Sequence, residues 1–172
     1  MWELPEALRG ALDGVVGGGA GGARLARDVE ALIARYRADV AAPEAILATP
    51  GAARAYAAYR MPATYAAVRA ALGELALRTD GAGPSGLAPV TQVDVGGGTG
   101  AAVWAAFDAF GGPSGSLERA RVLERSPEVV AVGRELARAG GLGAAEWELF
   151  LVAEGASEVA VPAADLVTVS YV

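Results

Sequence analysis

The 172-residue sequence contains no cysteine and no histidine. That excludes disulfides, thiolate and imidazole metal sites, cysteine nucleophiles and Ser-His-Asp triads within the chain. Lysine is missing too, so all 14 basic residues are arginine. In an alanine-rich chain this carries little weight as a sign of guanidinium chemistry. Hydrophobic residues make up 53% of the chain, yet no apolar run approaches the ~20 residues of a membrane span, and no membrane partner is expected. The start, Met1-Trp2-Glu3-Leu4-Pro5-Glu6, lacks the basic and apolar regions of a secretory signal and carries acids that transit peptides avoid. A cytoplasmic location is the expectation. The formal net charge of −6 argues against strong nonspecific nucleic-acid binding, and no DNA partner is expected, because such affinity comes from cations that neutralise phosphates. Any chemistry must use carboxylates, hydroxyls, arginine, backbone or a bound cofactor.

What is present divides at two breaks rich in glycine and proline, 17–22 and 79–89. Between them Leu25, Val29, Leu32, Ile33, Tyr36 and Val40 recur at helical spacing. Pro43 and Pro50 interrupt that run, and a further helix is expected to begin near Pro62, with Tyr65, Val68, Leu72 and Leu75 on one face. Residues 1–80 therefore read as a helical N-terminal region. From Pro89 onward short apolar runs alternate with helical segments, the pattern of a parallel sheet with crossover helices. Strands are expected near 90–95, 119–124 and 165–170, with another near 147–152, and helices over 99–110 and 127–139. The fold class is thus α/β, with residues 81–172 as the sheet-bearing domain.

The chemically informative stretch is Val90-Thr91-Gln92-Val93-Asp94-Val95-Gly96-Gly97-Gly98-Thr99-Gly100, a strand that enters a glycine loop and then a helix. Glycines bring backbone against a ligand, and a helix start offers unpaired N–H groups and partial positive charge. Gly96, Gly98 and Gly100 match the G-x-G-x-G of methyltransferases, while Gly96, Gly98 and Ala101 also satisfy the relaxed G-x-G-x-x-A of dinucleotide enzymes. Asp94 favours the former, because an acid at the end of a buried strand suits a cationic methionyl amine and sits badly beside a pyrophosphate. Glu124 ends the next expected strand, Arg121-Val122-Leu123-Glu124, where an acid can hold both ribose hydroxyls. The alternatives are an ordinary βα turn for the loop, a helix cap for Asp94, and a solvated acid paired with Arg121 or Arg125 for Glu124. Trp104 belongs with Val103 and Phe107 on a packing surface. Tyr56, Tyr59, Arg60 and Tyr65 read either as an RNA-stacking cluster or, more simply, as helix packing.

With these residues in hand, the chain resembles the small ribosomal subunit methyltransferase-like family, the mitochondrial small-subunit assembly factor and its bacterial relatives. The matching segments are Leu4-Pro5, Tyr59-Arg60-Met61-Pro62-Ala63-Thr64-Tyr65-Ala66-Ala67-Val68, Asp94 to Gly100 followed by Trp104-Ala105-Ala106, Leu123-Glu124-Arg125-Ser126, and Asp165 to Val172. The resemblance implies a Rossmann-like class I methyltransferase fold that uses S-adenosylmethionine and is linked to the small ribosomal subunit or its rRNA. Asp94 would hold the methionyl amine, the backbone of Gly96, Gly97, Gly98, Thr99 and Gly100 the methionyl carboxylate side, and Glu124 the ribose. Ser170 and Tyr171 fall where the substrate-side loop begins, and no residue is assigned as catalytic. Family members carry cysteines for an iron–sulfur cluster in a later segment, and none transfers here. Against a seven-stranded sheet the sequence stops after the fourth strand, so a fragment or shortened reading frame is expected, with an unpaired strand edge. The rival expectations are a noncatalytic ribosome-assembly scaffold and, behind it, a nicotinamide-dependent oxidoreductase.

Overall fold

A computed structural model describes residues 3–16, 22–37, 47–79, 86–111, 115–151 and 160–170. Four short strands, β1 (Thr91–Val95), β2 (Arg119–Glu124), β3 (Ala145–Leu149) and β4 (Leu166–Val169), form one sheet in the order β3-β2-β1-β4. Every neighbouring pair is parallel. In β3, Ala145, Trp147 and Leu149 alternate with Glu146 and Glu148, so the strand begins two residues before the expected 147. The two acids lie on the opposite face, where Glu148 meets Arg121 of β2 at 3.8 Å.

The register sets up the site. Asp94 lies beside Val122 on one side and Thr168 on the other, and Val122 in turn lies beside Trp147. These four residues form one row on one face of the sheet. Helices α4 (Ala101–Phe110) and α5 (Pro127–Ala139) make the crossovers β1 to β2 and β2 to β3, and right-handed crossovers progressing in one direction place both on the same face. Gly133 of α5 has only hydrogen toward Trp147, since a Cβ there would lie 2.3 Å from the indole nitrogen. Ser126 caps α5 by accepting the Val129 N–H at 3.3 Å, with Pro127 in the first turn. Asp165 fastens β4 to β1, its Oδ2 accepting from the N–H groups of Val90 and Thr91 and from the Thr91 hydroxyl, all at 2.9–3.0 Å.

The N-terminal residues form α1 (Glu6–Val16), α2 (Gly22–Arg37) and α3 (Pro50–Thr79). The third helix begins at Pro50, twelve residues earlier than the expected start near Pro62. Pro50 is the first-turn proline, and Thr49 accepts the Ala52 N–H at 3.2 Å as the cap. Pro62 is carried inside the helix, which packing against α4 holds together over the missing hydrogen bond. Tyr65 is buried at that contact and its hydroxyl donates to Asp108 at 2.8 Å, beside the Arg69–Asp108 ion pair at 2.6 Å. One core joins Leu8, Met61, Tyr65 and Leu72 of the helical region to Val103, Trp104, Val122, Leu136 and Trp147 of the sheet layer. Leu32 of α2 packs separately with Ala55 of α3. Leu75, expected on the packed face, is 40% exposed, while Val40 and Pro43 lie outside the described residues.

Candidate functional site

β1 delivers Asp94 and then the loop. Gly96, Gly98 and Gly100 have φ of 65°, 59° and 93°, so alternate residues occupy the left-handed region that glycine adopts without a Cβ penalty. Gly97 is needed for a different reason: a Cβ there would lie 2.2 Å from Asp94 Oδ2 and 2.8 Å from Val122. Three of the loop's amides are engaged within the protein. Gly96 N–H donates to Leu123 O at 2.8 Å, Gly100 N–H to Gly97 O at 2.9 Å, and Gly98 N–H to Glu124 Oε2 at 3.0 Å.

Glu124 is therefore brought onto the glycine loop from 26 residues away. Its other oxygen accepts the Ser126 N–H at 2.9 Å. Arg121, one of its alternative partners, faces Glu148 instead. Two of the roughly four acceptor positions of a carboxylate are thus used, and Glu124 itself is partly exposed.

Asp94 is fully buried. Its Oδ1 accepts the Thr168 hydroxyl at 2.7 Å, and its Oδ2, beneath Gly97, has no hydrogen-bond partner among the described residues. Burial pushes its carboxyl from 3.8 up to about 7; the Thr168 bond opposes the rise and the Glu124 charge adds to it. A buried acid with one free oxygen is a costly arrangement that a cationic group would relieve.

Three residues contribute to the loop in ways that the sequence does not signal. Trp147 spans the underside of the loop, its indole N–H donating to Gly98 O at 3.0 Å and its ring against Gly100, where a Cβ would lie 2.6 Å away. Tyr56 of α3 stands over Gly98 at 3.5 Å from the position of a Cβ. With Met61 and Thr64 of the same helix it walls a cleft whose floor is Gly96, Gly97 and Thr99, and Ser170 borders it beyond β4. The Thr99 hydroxyl is turned into the interior toward Met61 Sδ at 3.6 Å. Thr168 is the third. Trp104 packs in the core as expected, whereas Tyr56, Tyr59 and Tyr65 do not share a surface: one meets the loop, one is half-exposed and one is buried. Tyr171 lies outside the described residues.

A parallel sheet whose first strand ends in a buried acid and a G-x-G-x-G loop, with the second strand's acid folded onto that loop, defines a Rossmann-like domain of the methyltransferase-like kind. The family model described as mitochondrial small ribosomal subunit Rsm22 matches residues 50–172, and the chain belongs to that family. The match begins where α3 begins. No curated protein matches the sequence. The family description is mitochondrial, in contrast to the cytoplasmic expectation drawn from the first six residues, and among the described residues no helix is long and apolar enough to cross a membrane.

Proposed function

We propose that this chain binds S-adenosylmethionine at the β1 loop and acts on the small ribosomal subunit or its rRNA as a methyltransferase-family protein. The observation that carries the reading is the Oδ2 of Asp94, unpartnered among the described residues and buried beneath a glycine loop that also holds the second strand's acid. S-adenosylmethionine presents a cationic amine, a ribose diol and a sulfonium-borne methyl group, which is the electrophile it supplies when bound. Asp94 receives the amine, directly or through a water. Glu124 receives the diol with the acceptor positions left over from Gly98 and Ser126. Gly97 admits no side chain between the acid and the cleft. Tyr56, Met61 and Thr64 cover the loop from the helical side and keep water from the reacting end, so that the protein's contribution is orientation and dehydration.

Calorimetric titration of the purified chain with S-adenosylmethionine and S-adenosylhomocysteine tests this, with NAD and the Gly98→Val variant as controls. Binding that NAD does not mimic and the variant loses is expected, because Val at 98 meets both a φ of 59° and the Tyr56 ring. Binding of NAD in preference would replace the reading with the oxidoreductase one.

The second reading, a noncatalytic assembly scaffold whose helical region 1–80 docks on the ribosomal partner, is favoured by the engagement of the Gly96, Gly98 and Gly100 amides within the protein. Co-sedimentation with small-subunit precursors that survives Gly98→Val separates it from the first.

A further inference from the structure

Among the described residues Asp94 has a single protein donor, and that donor is itself held. Gln92 and Asp94, two residues apart on β1, share the row-bearing face of the sheet, and Thr168 stands directly across from Asp94 on β4. Gln92 Nε2 lies 3.0 Å from Thr168 Oγ1, and Thr168 Oγ1 lies 2.7 Å from Asp94 Oδ1. An amide nitrogen can only donate, so the threonine oxygen accepts from Gln92, and its one proton points at Asp94. Gln92 and Asp94 are 2% and 0% exposed, while Thr168, on the end strand β4, is partly buried between them and solvent. With Oδ1 tied in this way the carboxylate cannot rotate freely, and Oδ2 is kept beneath Gly97.

We propose that Thr168, oriented by Gln92, is a positioning residue that aims the Asp94 carboxylate at the cofactor's cationic amine. The inference rests on the cofactor reading above and extends it to two residues of β4 and β1 outside the glycine motif. Neither touches the ligand. They act through Asp94, by holding its geometry and by favouring its ionised form. The other groups shown around Asp94 among the described residues are Glu124 at the end of β2, which disfavours the charge, the apolar Val122 beside it on β2, and Gly97 over its Oδ2. Thr168 thus opposes both burial and Glu124.

The experiment has two readouts on the full chain. The first uses no ligand: the side-chain carboxyl ¹³C signal of Asp94, assigned with Asp94→Asn, is followed against pH. The wild-type midpoint is expected near 7, and Thr168→Val is expected to raise it by about 1 in pH, the worth of one bond to a charged group. Thr168→Ser keeps the hydroxyl and is expected to restore the wild-type midpoint. Gln92→Met, which leaves the hydroxyl in place but unoriented, is expected to give a smaller rise and serves if the valine variant does not fold. The second readout is S-adenosylmethionine affinity at pH 7, expected to fall about tenfold in Thr168→Val and to return in Thr168→Ser. A Val variant that folds with an unchanged midpoint, or a Ser variant displaced as far as Val, overturns the relay. Wild-type protein that binds no S-adenosylmethionine overturns the cofactor reading instead, and the carboxyl titration still judges the relay.

Discussion

Asp94→Asn separates the stability of this site from its use. Asp94 is fully buried, and its carboxyl is pushed from 3.8 to about 7 by desolvation, with one hydroxyl bond in opposition. Between those two pH values the folded protein keeps a proton that the unfolded chain has released. Stability is therefore greatest near pH 4, falls as pH rises toward 7, and levels off above it. The full excursion corresponds to about 4 kcal/mol. Asn has the same shape, carries no charge at any of these pH values, and can still accept the Thr168 hydroxyl. Its amide protons lack an assured acceptor, which costs roughly 1–3 kcal/mol. The variant should be more stable than wild type at pH 8 by roughly 1–3 kcal/mol, equivalent to a midpoint about 2–10 °C higher for a chain of this size. At pH 5 the advantage should shrink or reverse. Urea denaturation monitored by circular dichroism at both pH values measures it. A variant less stable than wild type at pH 8, or a gap that does not change with pH, would refute the claim that Asp94 is a strained buried charge. The same variant should lose S-adenosylmethionine binding, so that stability and function move in opposite directions.

Other substitutions probe the loop's supports. Trp147→Ala removes the indole beneath Gly98 and Gly100 and should cost roughly 3–5 kcal/mol, with faster amide exchange at 98 and 100; Trp147→Phe, which loses only the N–H and part of the ring, should cost less. Gly100→Ala places a Cβ 2.6 Å from Trp147 at a φ of 93°, and left-handed strain of about 1–2 kcal/mol plus overpacking of about 1–3 kcal/mol should lower the melting midpoint by several degrees. Tyr65→Phe leaves the Arg69–Asp108 pair intact and should cost about 1 kcal/mol in urea denaturation; a loss no larger than experimental error would show that the bond to Asp108 is only a surface contact.

The parallel layer was legible because its signals are local. The glycine loop, Ser126 before Pro127, and the apolar runs of β1 and β2 each carry their own turn or strand chemistry, and the second sheet helix has the bounds expected from them. Asp94 and Glu124 could be singled out because they stand at strand ends next to that loop. β3 was displaced because Glu146 and Glu148 break its apolar run; both occupy exposed positions of the strand, and Glu148 also meets Arg121 of β2. Pro50 and Pro62 were assigned in the wrong order, since a proline at a helix start and one inside a helix differ in their neighbours rather than in themselves. The parts that Thr168, Trp147 and Tyr56 play at the loop could not be read, and Tyr56 stood out only as a stacking or helix-packing residue. Each reaches the loop from a distant element, through the strand order β3-β2-β1-β4 or the packing of α3 on α4, and no spacing in the sequence encodes those contacts.

The most direct test of the central claim is a crystal structure of the chain with S-adenosylhomocysteine, which carries the same amine and ribose. The ligand amine is expected within one hydrogen bond, about 3 Å, or one bridging water of Asp94 Oδ2, with the ribose diol on Glu124 and Tyr56 closing over the loop. Density for the ligand elsewhere, or at the loop with its amine away from Asp94, would contradict the account.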